Sequence, residues 1–213
     1  MGSLPTDGVR VSRVRTETEV EEVVRTFERL ALSHDWAPDG QLRAYPDLSV
    51  YWAVRVDGRL AGGLQLVLGN TEGRLPVRTV WPELDLAGRA DVADVALLAF
   101  CREHRGTAGL FWLVCAELWR YCAFHGIGEL WFEIPPAILR LYRRIGWPLK
   151  VAGELREHWG ELCYPCRLDV KELTDAMVGR MAAPGLLGQL LHQALRDPIP
   201  ERFQYLRPLR DRR

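Results

Sequence analysis

Apolar and polar residues follow two different spacings in the first part of the chain. Residues 9–14 alternate between apolar and polar, which is typical of a half-buried strand. From Val20 to Ala31, apolar residues recur every three or four positions, which predicts a helix. Thr16 or Thr18 can cap this helix, and glutamates follow in its first turn, where the helix dipole favours negative charge. The chain therefore begins with a strand and a capped amphipathic helix.

The middle of the chain predicts a hairpin and then alternating strands and helices. Apolar runs on both sides of Asp57-Gly58 are a strong hairpin signal. Residues 70–77 predict a loop, and the nearly all-apolar residues 92–100 predict a central strand that is buried on both faces. The later elements are a helix over 108–124 ended by Gly126, a strand over 129–134, a short helix to residue 145, and a strand pair over 146–153 and 162–170.

The order of these elements predicts an α/β protein of the α+β kind, in which helices lie on the faces of one mixed sheet. Apolar residues return to helical spacing beyond residue 170. We therefore expect one domain over residues 1–170 and a helical C-terminal extension over residues 171–213 that packs on the same domain.

Composition narrows the class of protein. The chain has 213 residues, of which 48% are hydrophobic, so we expect a folded domain rather than a disordered chain. Lys and Arg number 28 and Asp and Glu number 28, and a formal net charge of zero argues against a general nucleic-acid binder. No apolar run reaches the roughly 20 residues that a membrane span needs, and the N-terminus lacks the apolar core of a signal peptide. We expect a cytoplasmic protein.

The five cysteines lie mostly within apolar sequence, where a free thiol packs as a small hydrophobic group. Cys163 and Cys166 form a single Cys-x-x-Cys pair without the second pair of ligands that a zinc site needs. In a strand, these two side chains would also point to opposite faces. We expect packing cysteines and no metal site.

A basic, glycine-containing turn connects the predicted strand over 92–100 to the helix after it. Backbone N–H groups at the start of a helix, together with its dipole, bind anions. Arg102, Arg105 and Gly106 are therefore the candidates for holding a pyrophosphate or the phosphate of a pantetheine arm. A plain strand-to-helix turn with solvated arginines is the alternative.

The order of elements and several short phrases resemble the acyltransferases of the GNAT superfamily over residues 9–170. The features that carry this resemblance are the Asp57-Gly58 hairpin, the strand over 92–100 leading into Arg105-Gly106-Thr107-Ala108-Gly109, the helix after it, and Leu141-Tyr142-Arg143-Arg144-Ile145-Gly146-Trp147. Within the superfamily, the chain resembles acyl-homoserine-lactone synthases and N-acyl amino acid synthases. The segments that resemble these synthases are Val24 to Leu30 before Trp36, Gly62-Gly63-Leu64-Gln65-Leu66, Val80-Trp81-Pro82-Glu83-Leu84, and Gly146-Trp147-Pro148-Leu149 before Gly153.

This resemblance implies a GNAT-like fold and the transfer of an acyl group to an amine. The donor would be an acyl-phosphopantetheine on acyl carrier protein or an acyl-CoA, and the acceptor a small amine such as an amino-acid derivative. The cofactor-binding residues that it implies are Leu98, Phe100, Arg102, Arg105, Gly106 and Thr107, with backbone N–H groups from Leu98 to Phe100 contacting the oxyanion. The substrate-binding residues that it implies are Arg25, Trp36 and Gln65.

The chain departs from the synthases in the residues that recognise the amino acid of S-adenosylmethionine. Asp94, Ala96 and Leu97 stand where the synthases carry Glu-x-Ser-Arg, and Gln65 stands where they carry arginine. Homoserine-lactone synthesis is therefore not expected, although acyl transfer is. A catalytically silent GNAT-like domain that binds an acyl carrier or another protein is an alternative. An acetyl-CoA-dependent N-acetyltransferase is another.

Two residues are the candidates for proton transfer. Asp94 is a single carboxylate within an apolar strand, so burial raises its pKa or gives it a partner, which suits a base that acts through water. Tyr142 aligns with the tyrosine that protonates the departing sulfur in many GNAT enzymes. The alternatives are a structural carboxylate that binds backbone amides and a core tyrosine with a satisfied hydroxyl.

Two groups of side chains have candidate binding roles. Arg140, Arg143 and Arg144 would present a basic face to an acidic carrier protein, or form a solvated helix face. Trp112, Trp119, Trp131 and Trp147 would line an acyl pocket, or pack as simple core.

Overall fold

The structure is a computed structural model that describes residues 8–36, 40–105 and 109–181. In chain order the elements are β1 (Val9–Arg13), α1 (Glu17–Ser33), β2 (Ser49–Val56), β3 (Arg59–Leu68), α2 (Val77–Val80), β4 (Val92–Phe100), α3 (Leu110–His125), β5 (Glu129–Ile134), α4 (Pro136–Arg144), β6 (Lys150–Val151), β7 (Arg156–His158), β8 (Glu161–Asp169) and α5 (Val170–Met181).

One sheet contains all the strands in the order β1-β2-β3-β4-β5-β8-β6, and β7 pairs with β8. Every pairing is antiparallel except that of β4 with β5. Asp57 and Gly58 both have positive φ, at 50° and 79°, as the tight turn between β2 and β3 requires. The predicted mixed sheet and its hairpin are confirmed.

Helix α1 covers one face of the sheet over β2, β3 and β4. Thr16 is its cap: the Thr16 hydroxyl accepts the Glu19 N–H, and the Glu19 carboxylate accepts the Thr16 N–H. The apolar side of the helix, including Val23 and Phe27, is buried against Tyr51 and other strand residues. The amphipathic spacing thus predicted both the helix and the face that it buries.

Helix α3 packs on the opposite face of the sheet and ends at Gly126, whose φ is 82°. Leu118 and Cys122 of this helix belong to the same core cluster as Leu130 and Phe132 of β5. Helix α5 extends this cluster, since the side chains of Val170 and Leu173 are buried in it. Residues 182–213 lie outside the described part of the chain, so the helical extension and its boundary at residue 171 stay predictions.

Three local predictions need correction or refinement. The loop predicted over 70–77 ends in the short helix α2, which begins at residue 77 and supplies a backbone amide to the site described below. The predicted strand over 146–153 is reduced to β6, which contains only Lys150 and Val151. The polar loop after it contains β7, because Trp159 and Gly160, with φ of 54° and 87°, turn the chain back so that β7 pairs with β8.

The two cysteines of the Cys-x-x-Cys pair lie in β8 and point to opposite faces of the sheet. Cys163 is buried in the cluster with Trp81 and Trp131, and Cys166 in the cluster with Leu130. This arrangement confirms the separation expected from their odd spacing. Among the described residues, no helix is both long and apolar enough to span a membrane.

Candidate active site

Strands β4 and β5 part in the middle of the sheet. Their parallel pairing runs from Val92–Glu129 to Asp94–Trp131 and then ends, although both strands continue. The pairing of β3 with β4 shifts register at this level, between Gln65–Leu97 and Val67–Asp94. Because a bulge bends the strand that carries it, β4 turns away from β5 beyond this point. The gap between the two strands, called the cleft below, is bordered by residues 95–100 of β4.

Two backbone amides of β4 face the cleft. Cys101 donates its N–H to Ala61 O of β3 at 2.8 Å, so by alternation along the strand the N–H groups of Leu98 and Phe100 point away from β3. Beyond Asp94 no strand pairs with β4 on that side among the described residues. An extended amide-bearing molecule can pair with these groups as an additional strand would. Leu98 and Phe100 are the residues that the resemblance gave as cofactor-binding and as contacts of the oxyanion, and those roles stay predictions.

This orientation of the amides predicts a contrast between two proline variants. Leu98→Pro removes an N–H that faces the cleft, whereas Ala99→Pro removes one that faces β3 and breaks the β3–β4 ladder. We expect Ala99→Pro to lower the free energy of unfolding by about 3 kcal/mol or more and Leu98→Pro to cost clearly less. Urea unfolding of the two variants measures this difference. Equal losses would show that the Leu98 amide does not face an open edge.

Asp94 is the fully buried carboxylate beside the cleft. Its Oδ2 accepts the N–H of Val77, at the start of α2, at 2.7 Å. Burial raises the pKa of Asp94 to about 7, against the lowering effect of the Val77 amide and of a hydrogen bond with Glu133. A carboxyl with this pKa can exchange protons near neutral pH, which is what a general base requires.

Glu133 is the partner that sequence reasoning missed. It lies on β5 two residues beyond Trp131, the last residue paired with β4, and on the same face of the sheet. Burial and the neighbouring Asp94 carboxylate raise the pKa of Glu133 well above its ordinary value. Glu133 therefore holds the proton that the two carboxyls share, and Asp94 accepts it. The available signal was an acidic residue set between the apolar Phe132 and Ile134 within the strand.

Tyr142 lies on the opposite side of the sheet from Asp94. Its ring is 4.7 Å from that of Trp147 and is stacked on Phe111 at 5.8 Å. Burial raises the pKa of the Tyr142 hydroxyl well above its ordinary value, which keeps the hydroxyl protonated at neutral pH. The structure therefore does not bring Tyr142 and Asp94 together on one face; the two approach the sheet from opposite sides.

An apolar cavity of about 20 Å³ lies beside α3 on the same face as Tyr142. Its lining consists of Cys115, Leu118, Trp119, Cys122, Leu130, Phe132, Trp147, Leu168, Val170 and Leu173. Trp119 and Trp147 thus contact the cavity, whereas Trp131 lies on the other face of the sheet in the cluster with Trp81. Space of this size holds about one water molecule, so an acyl chain that enters here must displace side chains.

The basic turn after β4 is partly described. Arg102 and Arg105 are exposed on a short 3₁₀ turn. The Arg105 guanidinium donates to Phe100 O at 3.2 Å and lies 2.5 Å from His34 Nε2, which ties this turn to the end of α1. Gly106 and Thr107 lie outside the described residues, so their role as phosphate ligands stays a prediction.

The three predicted substrate-binding residues lie in different surroundings. Arg25 is on the surface of α1, paired with Glu21 at 2.7 Å, and its side chain is 71% exposed. Trp36 donates its indole N–H to Glu161 at 3.0 Å. Gln65 is buried on β3, on the sheet face that also carries Asp94. Of the three, Gln65 is the one that lies on a strand paired with β4.

Comparison with known proteins identifies the fold. No protein-family model and no curated protein matches the sequence. Among solved structures, FeeM, an N-acyl amino acid synthase from uncultured soil microbes, superimposes with a TM-score of 0.65 at 16% identity, over 79% of this chain and 94% of that one. The CoA-dependent acyl-homoserine lactone synthase BjaI, with SAM and isopentyl-CoA, gives 0.60 at 15% identity over 88% and 99%. The AHL synthase LasI gives 0.57 at 16% identity over 76% and 89%.

Proposed function

We propose that this chain, which has the GNAT-like fold of N-acyltransferases, transfers an acyl group from a pantetheine thioester to a small amine. One observation carries the proposal: β4 and β5 part beside a buried carboxyl of raised pKa, and two unpaired β4 amides border the cleft. The donor is an acyl-CoA or an acyl carrier protein, and the acceptor is an amine such as an amino-acid derivative.

The proposed reaction begins when the acceptor nitrogen attacks the thioester carbonyl carbon. Asp94 accepts the proton that the nitrogen loses, and the Leu98 and Phe100 amides are the donors available to the oxyanion that forms. When this intermediate collapses, the carbon–sulfur bond breaks and an amide forms. Tyr142 donates its hydroxyl proton to the departing thiolate. The products are an N-acyl amine and a free thiol, and proton exchange with solvent returns Asp94 to its carboxylate and Tyr142 to its phenol.

The surface of α4 favours an acyl carrier protein as the donor. Arg140, Arg143 and Arg144 are exposed on α4, the same helix that carries Tyr142. Ile138 and Leu141, which are 39% and 49% exposed, lie among them. A basic surface with apolar side chains suits an acidic protein partner, which it would attract electrostatically.

The direct test is thiol release from acyl-CoA and acyl carrier protein thioesters of several chain lengths, with a panel of amines as acceptors. The proposal expects amine-dependent thiol release and an N-acyl product of the corresponding mass. Preference for acetyl-CoA over longer chains would identify an N-acetyltransferase. Tight donor binding without any thiol release would identify a catalytically silent binding domain, which the complete burial of Asp94 favours as the second candidate.

The proposed role of Tyr142 as the general acid leads to a separate prediction. We expect Tyr142→Phe to lower kcat by about a hundredfold while leaving the affinity for acyl-CoA unchanged, because the ring stays and only the proton donor is lost. Tyr121→Phe is the matched control, since Tyr121 packs edge-on against Trp52 of β2, which β3 separates from β4. Steady-state kinetics of both variants test the role, and equal activity of Tyr142→Phe and the wild type would contradict it.

A further inference from the structure

The apolar cavity beside α3 lies next to the cleft at one end. Phe132, which lines the cavity, directly follows Trp131, the last residue of β5 that is paired with β4. The cavity therefore borders the point at which the two strands part. Trp147 also lines it, and the centre of the Trp147 ring lies 4.7 Å from that of Tyr142. A group bound in the cleft beside Tyr142 can thus extend into the cavity on the same side of the sheet.

The walls of the cavity are apolar and uncharged. Leu130 of β5 and Leu168 of β8 are paired across the two strands and form its side on the sheet. Leu118 of α3 lies opposite, together with Cys115 and Cys122. Burial raises the pKa of both thiols well above the ordinary value, so they stay protonated. Such a lining suits a hydrocarbon group and disfavours a charged one.

Trp119 closes the end of the cavity that lies under α5. It is about two helical turns beyond Phe111, whose ring is stacked on that of Tyr142. The Trp119 indole N–H donates to Thr174 Oγ of α5 at 2.9 Å, and the Thr174 hydroxyl donates to Val170 O at 2.6 Å. Trp119, Thr174 and Val170 are all buried. Moving the indole would leave a buried N–H without this acceptor, which is costly, so this end of the cavity is fixed.

The space inside the cavity sets how much hydrocarbon it can take. Its volume of about 20 Å³ holds about one water molecule, and a methyl or methylene group is of similar size. The carbonyl group of a bound thioester stays in the cleft, so only the carbons beyond it need this space. A longer chain gains room only if it displaces Trp119.

We infer that the cavity receives the acyl group of the donor, and that Trp119 determines the specificity by limiting this group to no more than about four carbons. Acetyl to butyryl groups place their terminal carbons between the sheet and α3 and stop at the indole. The hydrogen bond from Trp119 to Thr174 holds this limit in place. This inference rests on the proposed function and narrows the donor to short acyl thioesters.

The test uses acetyl, butyryl, hexanoyl and octanoyl thioesters of whichever carrier supports thiol release, with one amine as acceptor. We expect kcat/KM for the acetyl and butyryl donors to exceed that for the octanoyl donor by about tenfold or more, because the longer chain must displace Trp119. Trp119→Leu removes the end wall and should raise the octanoyl-to-acetyl ratio of kcat/KM by about tenfold or more. Effects on the binding of the carrier cancel in this ratio.

Two further variants test the role of Trp119. Trp112→Leu is the matched control and should leave the ratio unchanged, since Trp112 is a half-buried indole on the same helix that does not line the cavity. Thr174→Val removes the acceptor of the Trp119 N–H and should raise the ratio by about threefold or more. If Trp119→Leu does not fold, Thr174→Val takes its place. An unchanged ratio in the deciding variant overturns the role of Trp119.

The outcomes separate this inference from the proposed function. Equal or higher kcat/KM for the octanoyl donor overturns the inference and leaves the acyltransferase standing. If no donor releases thiol, the acyltransferase proposal fails, and calorimetric binding of butyryl-CoA and octanoyl-CoA to the intact protein decides the inference. Octanoyl-CoA must then bind no more tightly than butyryl-CoA, since a pocket open to its additional methylenes would bind it at least about tenfold more tightly. Tighter binding of octanoyl-CoA, or binding of neither thioester, overturns the inference.

Discussion

Asp94→Asn is expected to lower kcat/KM for thioester aminolysis by at least about a hundredfold while the fold persists. Asparagine has nearly the same shape, and its side-chain oxygen can still accept the Val77 N–H that now binds Asp94 at 2.7 Å. It cannot accept a proton from the attacking nitrogen. The lost rate therefore measures the base and not the packing.

The pH dependence separates this role from simple damage to the site. Because the pKa of Asp94 is about 7, kcat/KM of the wild type should fall below that pH as Asp94 takes up a proton. Ionisation of the acceptor amine also makes kcat/KM depend on pH. Asp94→Asn should retain this dependence and lose the fall in kcat/KM that Asp94 causes near neutral pH. Glu133→Gln keeps a neutral donor beside Asp94 and should leave this fall in place. Glu133→Leu removes the bond that lowers the pKa of Asp94 and should move the fall to higher pH.

Asp91→Asn is the matched control for these measurements. Asp91 lies just before β4 on the surface, where it binds Arg89 at 2.7 Å, and has no place in the proposed chemistry. Its variant should retain wild-type activity and the wild-type pH profile. Full activity of Asp94→Asn, or a wild-type fall in kcat/KM near neutral pH in that variant, would rule out Asp94 as the base.

The second large effect of Asp94→Asn is on stability, which it should raise although it lowers activity. Asp94→Asn should raise the free energy of unfolding at about pH 8 by on the order of 4 kcal/mol relative to the wild type, with the gain vanishing toward pH 4. The unfolded chain loses the Asp94 proton near a pKa of 3.8, whereas the folded chain keeps it until about 7. As pH rises between these values, ionisation favours the unfolded state, so the wild type loses stability that the variant keeps.

Urea unfolding of both proteins from about pH 4 to pH 8 measures this effect. Asp91→Asn should behave in the opposite sense, because the Arg89 hydrogen bond lowers the pKa of Asp91 and its ionised form stabilises the fold above that pKa. A gain for Asp94→Asn that does not change with pH would contradict the buried, proton-sharing pair. A site that costs stability and gains activity is a common compromise in enzymes.

Local interactions made much of the fold predictable. The Thr16 cap depends on Glu19, three residues away, and the β2–β3 turn depends on the backbone conformations of Asp57 and Gly58. The buried face of α1 follows from the helical spacing of its own apolar residues. Predictions were weaker where a short element has few interactions of its own, as in β7, which exists only because it pairs with β8.

The candidate site was predictable in part. Asp94 stood out because a carboxylate in an apolar strand must find a partner, and the resemblance implied that backbone N–H groups from Leu98 to Phe100 contact the oxyanion. Glu133 was missed because nothing near it in the chain shows that its neighbour across the sheet is Asp94. The α2 amide that binds Asp94 was also missed, since residue 77 was assigned to a loop.

The sequence alone determined the longer elements, their order and which residues of each face the core, since these depend on spacing and on contacts within a few residues. The tertiary structure alone decided where β4 leaves β5, that Asp94 and Glu133 share a proton, and that Gln65 joins them on one face. These features depend on strand register between segments that are distant in the chain. They depend also on burial, which sets the pKa of a carboxyl only once the surrounding elements have packed.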